Sequence, residues 1–255
     1  MNAQLDVDWA NANQQLLGAE FTYLRALLGD GEPGESRSRV ESMRQGMPMP
    51  AAIDTLAGLF ELSDFERHVL LLVAGVEMDA RLAALCGEAG AHPQRPWASF
   101  GLALAVLPGA HWNAIAPGEA LRRWRLLDLD DSQGLTSGRL KIDERVLHFI
   151  AGINYLDHRL LPLLESVPQA GLMTQAHRET ASRAVARLRA QPGRLPIILL
   201  TGDDHDGQGD VAALVADQLG VSLFELRASD LPASPHELTS LATLWQREAA
   251  LLGAG

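Results

Sequence analysis

The residues best placed to do chemistry lie in one short stretch, Gly202-Asp-Asp-His-Asp-Gly207-Gln208-Gly209. It has the frame of a phosphate-binding loop, G-x-x-x-x-G-K-[ST], in which backbone N–H groups cradle phosphates, a lysine neutralises them and a hydroxyl ligates magnesium. Gly202 and Gly207 fall on the two glycine positions, but Gln208 stands at the lysine position and Gly209 at the hydroxyl position. Asp203, Asp204, Asp206 and Asp210 surround the loop with carboxylates, which repel a polyphosphate. The expectation is a degenerate loop that binds ATP poorly. A second chemistry for the same residues is weaker. Asp204, Asp206 and Gln208 alternate like the start of a calcium loop with Gly209 at its turn, yet Val215 occupies the place of the closing glutamate. No metal site is expected.

Elements on either side must position this loop. The apolar run Ile197 to Leu200 reads as a buried strand, Val211 to Leu219 as a helix, and Val221 to Leu226 as a second strand. Strand, helix, strand at this spacing predicts parallel pairing with a right-handed crossover. A basic helix over Ala176 to Ala190 precedes them, and a last helix opens at Ser234-Pro235.

Upstream, the pattern is helical. Trp9, Leu16, Phe21, Leu24 and Leu28 recur at helical spacing over Asp8 to Leu28, and Glu32 to Pro50, rich in Gly, Pro, Ser, Arg and Met, reads as a flexible linker. Helices follow over Ala51–Phe60, Ser63–Val76, Asp79–Glu88 and Trp97–Leu107, the second opened by the capping box Ser63-Asp-Phe-Glu66. A short turn at Glu119 to Trp124 leads to a strand at Arg125 to Leu129. A turn-rich Asp130 to Gly138, a strand at Arg139 to Asp143 and a helix at Arg145 to Gly152 complete the pattern. Helices, strand, loop and returning strand predict a winged-helix arrangement, a fold that reads DNA in some proteins and binds protein in others. The expected organisation is an N-terminal helix (1–30), a linker (31–50), a helical and winged-helix-like domain (51–165) and a partial α/β nucleotide-binding module (176–255).

A formal charge of −11 argues against nucleic acid as the main partner, because phosphate neutralisation supplies much of that affinity. Arg122, Arg123 and Arg125, with a wing at Ser132 to Gly138, are the DNA-contacting candidates; the competing expectation is that they flank the two solvated sides of a strand beside Asp128, Asp130 and Asp131. No run approaches the roughly 18 apolar residues of a membrane span, and the acidic start is unlike a signal peptide, so a cytoplasmic location is expected. Cys86, the single cysteine, is expected in the core. His111, His148 and His158 have no ligand or triad spacing and are expected to be structural, and Trp9, Trp97, Trp112, Trp124 and Trp245 to be core anchors.

These segments together resemble a known family. Phe60-Glu-Leu-Ser-Asp-Phe-Glu-Arg-His-Val-Leu-Leu-Leu, Glu77-Met-Asp-Ala-Arg81, Arg122-Arg-Trp-Arg-Leu-Leu, Arg139-Leu-Lys-Ile-Asp-Glu-Arg-Val-Leu-His-Phe and Trp245-Gln-Arg-Glu-Ala are similar to the N-terminal part of AAA family ATPases found with phage-tail-like contractile injection systems. The resemblance implies a helical and winged-helix region, a degenerate first ATPase module, ATP and magnesium as the parent family's cofactors, and a protein partner or homo-oligomer. It implies no catalytic residue here, since the lysine and hydroxyl positions depart from the motif and no apolar strand ending in Asp-Glu follows. The expected role is a regulatory and assembly region of such an ATPase, read as a fragment of it. The alternatives are a winged-helix DNA-binding regulator and a nucleotide-binding module with an unorthodox loop.

Overall fold

The computed structural model describes residues 3–90, 93–168, 171, 173–190 and 197–254. Chain contacts divide it into two units, Met1–Tyr155 and Leu156–Gly255.

The first unit is built around helix α4 (Asp64–Met78), whose middle from Val69 to Ala74 is apolar on every side and correspondingly buried on every side. Its start follows the capping box: Ser63 Oγ accepts from the Glu66 N–H while the Glu66 carboxylate accepts from the Ser63 N–H. Helix α1 (Ala3–Leu27) presents Leu16, Leu17, Phe21 and Leu24 to the same core. Helix α5 (Ala80–Ala89) starts at Asp79, whose carboxylate caps the Arg81 and Leu82 N–H groups. The approach of α1, α4 and α5 is close enough that a Cβ on Gly75 would lie 2.3 Å from Leu82 Cδ2 and 3.1 Å from Phe21 Cδ1.

Between α1 and α3 (Ala52–Leu59) lies α2 (Pro33–Gln45), which corrects the expectation of a linker over 31–50. Pro33 opens the helix with its φ already set, Glu35 sits in the first turn and Arg44 in the last, each favourable to the helix dipole. Only Val40 on it is buried, with Ser36 and Met43 half-buried along the same stripe. So narrow an apolar seam leaves almost no periodic signal, and contacts with α1 supply what the local sequence lacks.

The winged part runs from α6 (Phe100–Val106) through a 3₁₀ turn (Trp112–Ile115) and α7 (Ala120–Arg123) to the hairpin β1 (Leu127–Asp130) and β2 (Arg139–Ile142), then α8 (Glu144–Ile150). The strands pair antiparallel with Leu127 opposite Ile142 and Asp130 opposite Arg139. Leu140 N–H donates to Ala98 O, which ties the chain before α6 to β2. The expected helix from Trp97 therefore starts later, at Phe100.

The second unit differs from its expectation. Ile197 and Leu199 are 97% and 82% exposed, and residues 197–200 form no strand. Leu195 and Pro196, at the head of that run, lie outside the described residues. The expected parallel partner, β4 (Phe224–Leu226), pairs antiparallel with β3 (Leu164–Ser166). No P-loop-type parallel sheet is present among the described residues. An apolar run becomes a buried strand only where neighbouring strands and helices cover both its faces. Helices α9 (Gln175–Arg189) and α10 (His205–Leu219) pack together. Leu160 and Leu164 form a small core with Leu241 and Leu244 of α11 (Pro235–Leu252), and Phe224 meets Trp245 edge-on. Beside that core, Arg247 and Asp157, both fully buried, pair at 2.7 Å.

Candidate functional site

The glycine-bracketed loop closes on itself. Helix α10 begins at His205, earlier than expected, so Gly207, Gln208 and Gly209 lie inside its first turns. Asp204 is its N-cap: the carboxylate accepts from the Gly207 N–H at 2.8 Å, the donor a phosphate-binding loop would offer to a ligand. Gln208 Nε2 donates across the loop to Gly202 O at 2.9 Å, and Gly202 has φ 146°. A Cβ on Gly207 would lie 2.4 Å from Asp204 Oδ2 and 2.5 Å from His177 Cε1, so the glycine is what lets the cap seat. The structure thus joins Gly207 to the Asp204 carboxylate and Gln208 to Gly202, while a Cβ on Gly209 would meet open space.

Asp203, Asp204 and Asp206 are exposed, and Asp204 lies 3.7 Å from His177 Nε2. Of the loop's aspartates, Asp204 has a structural role as well, its cap satisfying a helix donor. A helix from His205 onward is incompatible with a calcium-loop backbone, and no group of three or more His, Cys, Asp or Glu residues suited to a metal ion occurs among the described residues.

The second candidate is the wing and the helix before it. Arg122, Arg123 and Arg125 do not flank a strand: the first two form the end of α7, and Arg125 follows it in the left-handed region at φ 51°. Arg122 Nη1 turns inward to Ile115 O at 3.1 Å, and the Arg123 guanidinium lies over the Trp124 ring at 4.9 Å. The Trp124 ring meets Phe60 at 5.4 Å. Trp112, expected as a core anchor, is instead 61% exposed at the start of the 3₁₀ turn, while Trp9, Trp97, Trp124 and Trp245 are half-buried.

At the wing, Asp130 accepts from Ser132 N–H, and hydrogen bonding by Ser132 holds the Asp130 carboxyl below its usual range. The tip folds back, with Gly101 N–H donating to Thr136 O at 2.8 Å. Asp128, Asp130 and Asp131 are exposed along this hairpin, and no Lys or Arg occurs from Ser132 to Gly138.

A family model described as "Winged helix domain, variant" matches residues 30–164. The chain belongs to this winged-helix family. Comparison with curated proteins and with solved structures finds no match. The matched winged-helix region starts earlier than the expected 51, taking in α2 and the hairpin, while α1, outside the match, packs into the same unit. In this winged-helix domain the helix entering the hairpin, α7, is a single turn.

Sequence reading missed one set of charges in the first unit. Glu20, Asp54, Arg44 and Arg67 form a closed ring: Arg67 bridges Glu20 at 2.5 Å and Asp54 at 2.8 Å, and Arg44 bridges the same two at 2.8 and 3.0 Å. The available signal was Glu20 within the apolar stripe of α1 and Arg67 within that of α4, since a charge at a core-facing position requires a partner. His68, beside the ring, has its pKa lowered by burial and by Arg67. Cys86 is buried as expected, with burial pushing its thiol up to about 12 and out of nucleophilic range. His148 meets Tyr155 Oη at 2.9 Å and His111 meets Gly109 O at 3.1 Å, whereas His158 is exposed and 3.8 Å from Asp157. No helix among the described residues is long and apolar enough to cross a membrane.

Proposed function

We propose that this chain is a regulatory and assembly module whose winged-helix domain binds protein rather than reading DNA. The observation that carries the reading is the combination at the reading face: α7 has four residues where a DNA-reading helix would lie, and the adjoining wing exposes three aspartates. Four residues span about 6 Å, too little to set several side chains against base edges in a major groove. One of the arginines is turned inward to Ile115 O. Trp112, exposed immediately upstream, is the kind of anchor that protein interfaces use.

The loop at 202–209 is read as silent toward ATP. Its residues do not fit a nucleotide: a carboxylate already takes the Gly207 N–H, Gln208 carries no charge, and Gly209 offers no hydroxyl to magnesium. The resemblance to AAA family ATPases of contractile injection systems supports the finer reading, in which this region assembles or regulates an ATPase whose chemistry lies in another module, with a protein partner or a further copy as its contact.

Fluorescence anisotropy with duplex DNA near 0.15 M salt tests the main claim, because phosphate contacts give steeply salt-dependent binding. No salt-sensitive binding is expected. Binding that disappears in an Arg122→Ala, Arg123→Ala, Arg125→Ala variant overturns it in favour of a DNA-binding regulator. Calorimetry with ATP and magnesium tests the loop, and a Kd tighter than roughly 10 μM overturns the silent reading.

A further inference from the structure

Helix α2 forms one wall of a cleft of about 790 Å³, with Glu20 and Tyr23 of α1, Asp54 of α3, and Arg67 and His68 of α4 on the others. Two things hold the wall in place. One is the narrow seam centred on Val40, its single buried side chain. The other is Arg44, which bridges Glu20 at 2.8 Å and Asp54 at 3.0 Å from a side chain that is 41% exposed.

Two carboxylates and two guanidiniums make the ring neutral, and without Arg44 it carries one net negative charge but no carboxylate loses its last partner. Arg67, 8% exposed, pairs with both carboxylates from the interior side. When Arg44 leaves, each carboxylate keeps Arg67 as a partner and Asp54, 24% exposed, keeps solvent, so the penalty for opening a buried ion pair is reduced. The ends of α2 suit a hinged motion. At one end, Gly29 and Gly31 take positive φ in the turn from α1. At the other, Met47-Pro48-Met49 leads to a pinned position, where Trp9 Nε1 donates to Pro50 O at 3.0 Å and Asn13 Oδ1 accepts from Ala52 N–H at 2.9 Å.

We propose that α2 is a detachable wall of this cleft, latched by Arg44, and that it opens between the Gly29–Gly31 turn and Pro50 while α1, α3 and α4 stay packed. The opening bares the ring carboxylates, Tyr23 and His68 to whatever enters the cleft. Val40 and Met43 are uncovered at the same time. Charge holds the latch, so ionic strength controls it: its partly exposed side is screened by salt, whereas the Arg67 side is shielded.

Hydrogen–deuterium exchange of the full chain, read on peptides from 33–46 and from 69–76, tests this. In Arg44→Gln, and in wild type at about 1 M salt, protection of 33–46 is expected to fall by about three- to fivefold with 69–76 unchanged. Arg44→Lys, which keeps the charge but cannot fork to two carboxylates as a guanidinium does, should fall between wild type and Arg44→Gln. Unchanged protection of 33–46 in both conditions overturns the proposal, because the Val40 seam alone then holds the helix. Loss of protection in both segments together also overturns it, because α2 is then part of the cooperative core. If Arg44→Gln does not fold, the salt series on wild type decides by the same two readings.

Discussion

Arg67 and Glu20, 47 positions apart, meet at 2.5 Å inside the first unit, and each is at least nine-tenths buried. Burial alone would lower the Arg67 pKa; Glu20 and Asp54 outweigh it and raise it, so the guanidinium stays charged at any pH the fold survives. Removing one member of such a pair leaves the other in a poor solvent. Arg67→Met is therefore expected to destabilise the first unit by about 3 kcal/mol or more. Arg44→Met, at the partly exposed side of the same ring, should cost about 1 kcal/mol or less after solvent screening. Urea denaturation of the two variants checks the ranking, and equal losses would contradict it.

His68 makes stability depend on pH. Its folded pKa lies below the ordinary 6.5, by burial first and Arg67 second. Between those two values the unfolded chain binds the proton that the folded chain refuses. Stability is thus complete above about 6.5 and is lost as pH falls through the window down to the folded pKa, at up to about 1.4 kcal/mol per pH unit. Glu20 and Asp64 oppose the shift, so they limit its size without reversing it. His68→Phe should flatten this part of a stability–pH curve; a curve unchanged by the substitution would remove His68 as its source.

The Asp204 cap and Gly207 should be energetically coupled. Asp204→Ala removes the acceptor for the Gly207 N–H and is expected to cost about 0.5–2 kcal/mol, whereas Asp204→Asn, another good capping residue, should be near neutral. In a Gly207→Val background the Cβ already displaces the Asp204 carboxylate, so the same alanine substitution should cost nothing further. Additive losses in this double-mutant cycle would show that the contact is not the one that matters.

Glu61 sits in the left-handed region at φ 54°, at the end of α3 where Leu62 N–H donates to Ala57 O. Such helix endings usually carry glycine, because a Cβ there is strained. Glu61→Gly is expected to raise stability by about 0.5–1 kcal/mol, read as a higher denaturation midpoint with an unchanged m-value. A loss would mean that the Glu61 side chain contributes more than its backbone costs.

Much of the winged-helix domain was legible in the residues themselves. Ser63 with Glu66 and Asp143 before α8 act within three or four positions, and the alternation around β1 and β2 needs only its own strand to be seen. Capping and periodicity are local, so sequence determines them. Gln208 and Gly209 in place of a lysine and a hydroxyl are likewise a fact of sequence, and no fold supplies the missing groups. Tertiary structure decided the rest. Helix α2 exists through a seam of one buried valine and an ion ring whose members come from four helices. Ile197 to Leu200 carries a strong strand pattern without a sheet to receive it among the described residues, and β4 took β3, nearly sixty positions upstream, as its antiparallel partner. Pairing across that distance rests on which surfaces meet, and side-chain pattern along one segment holds no information about the surface that will cover it.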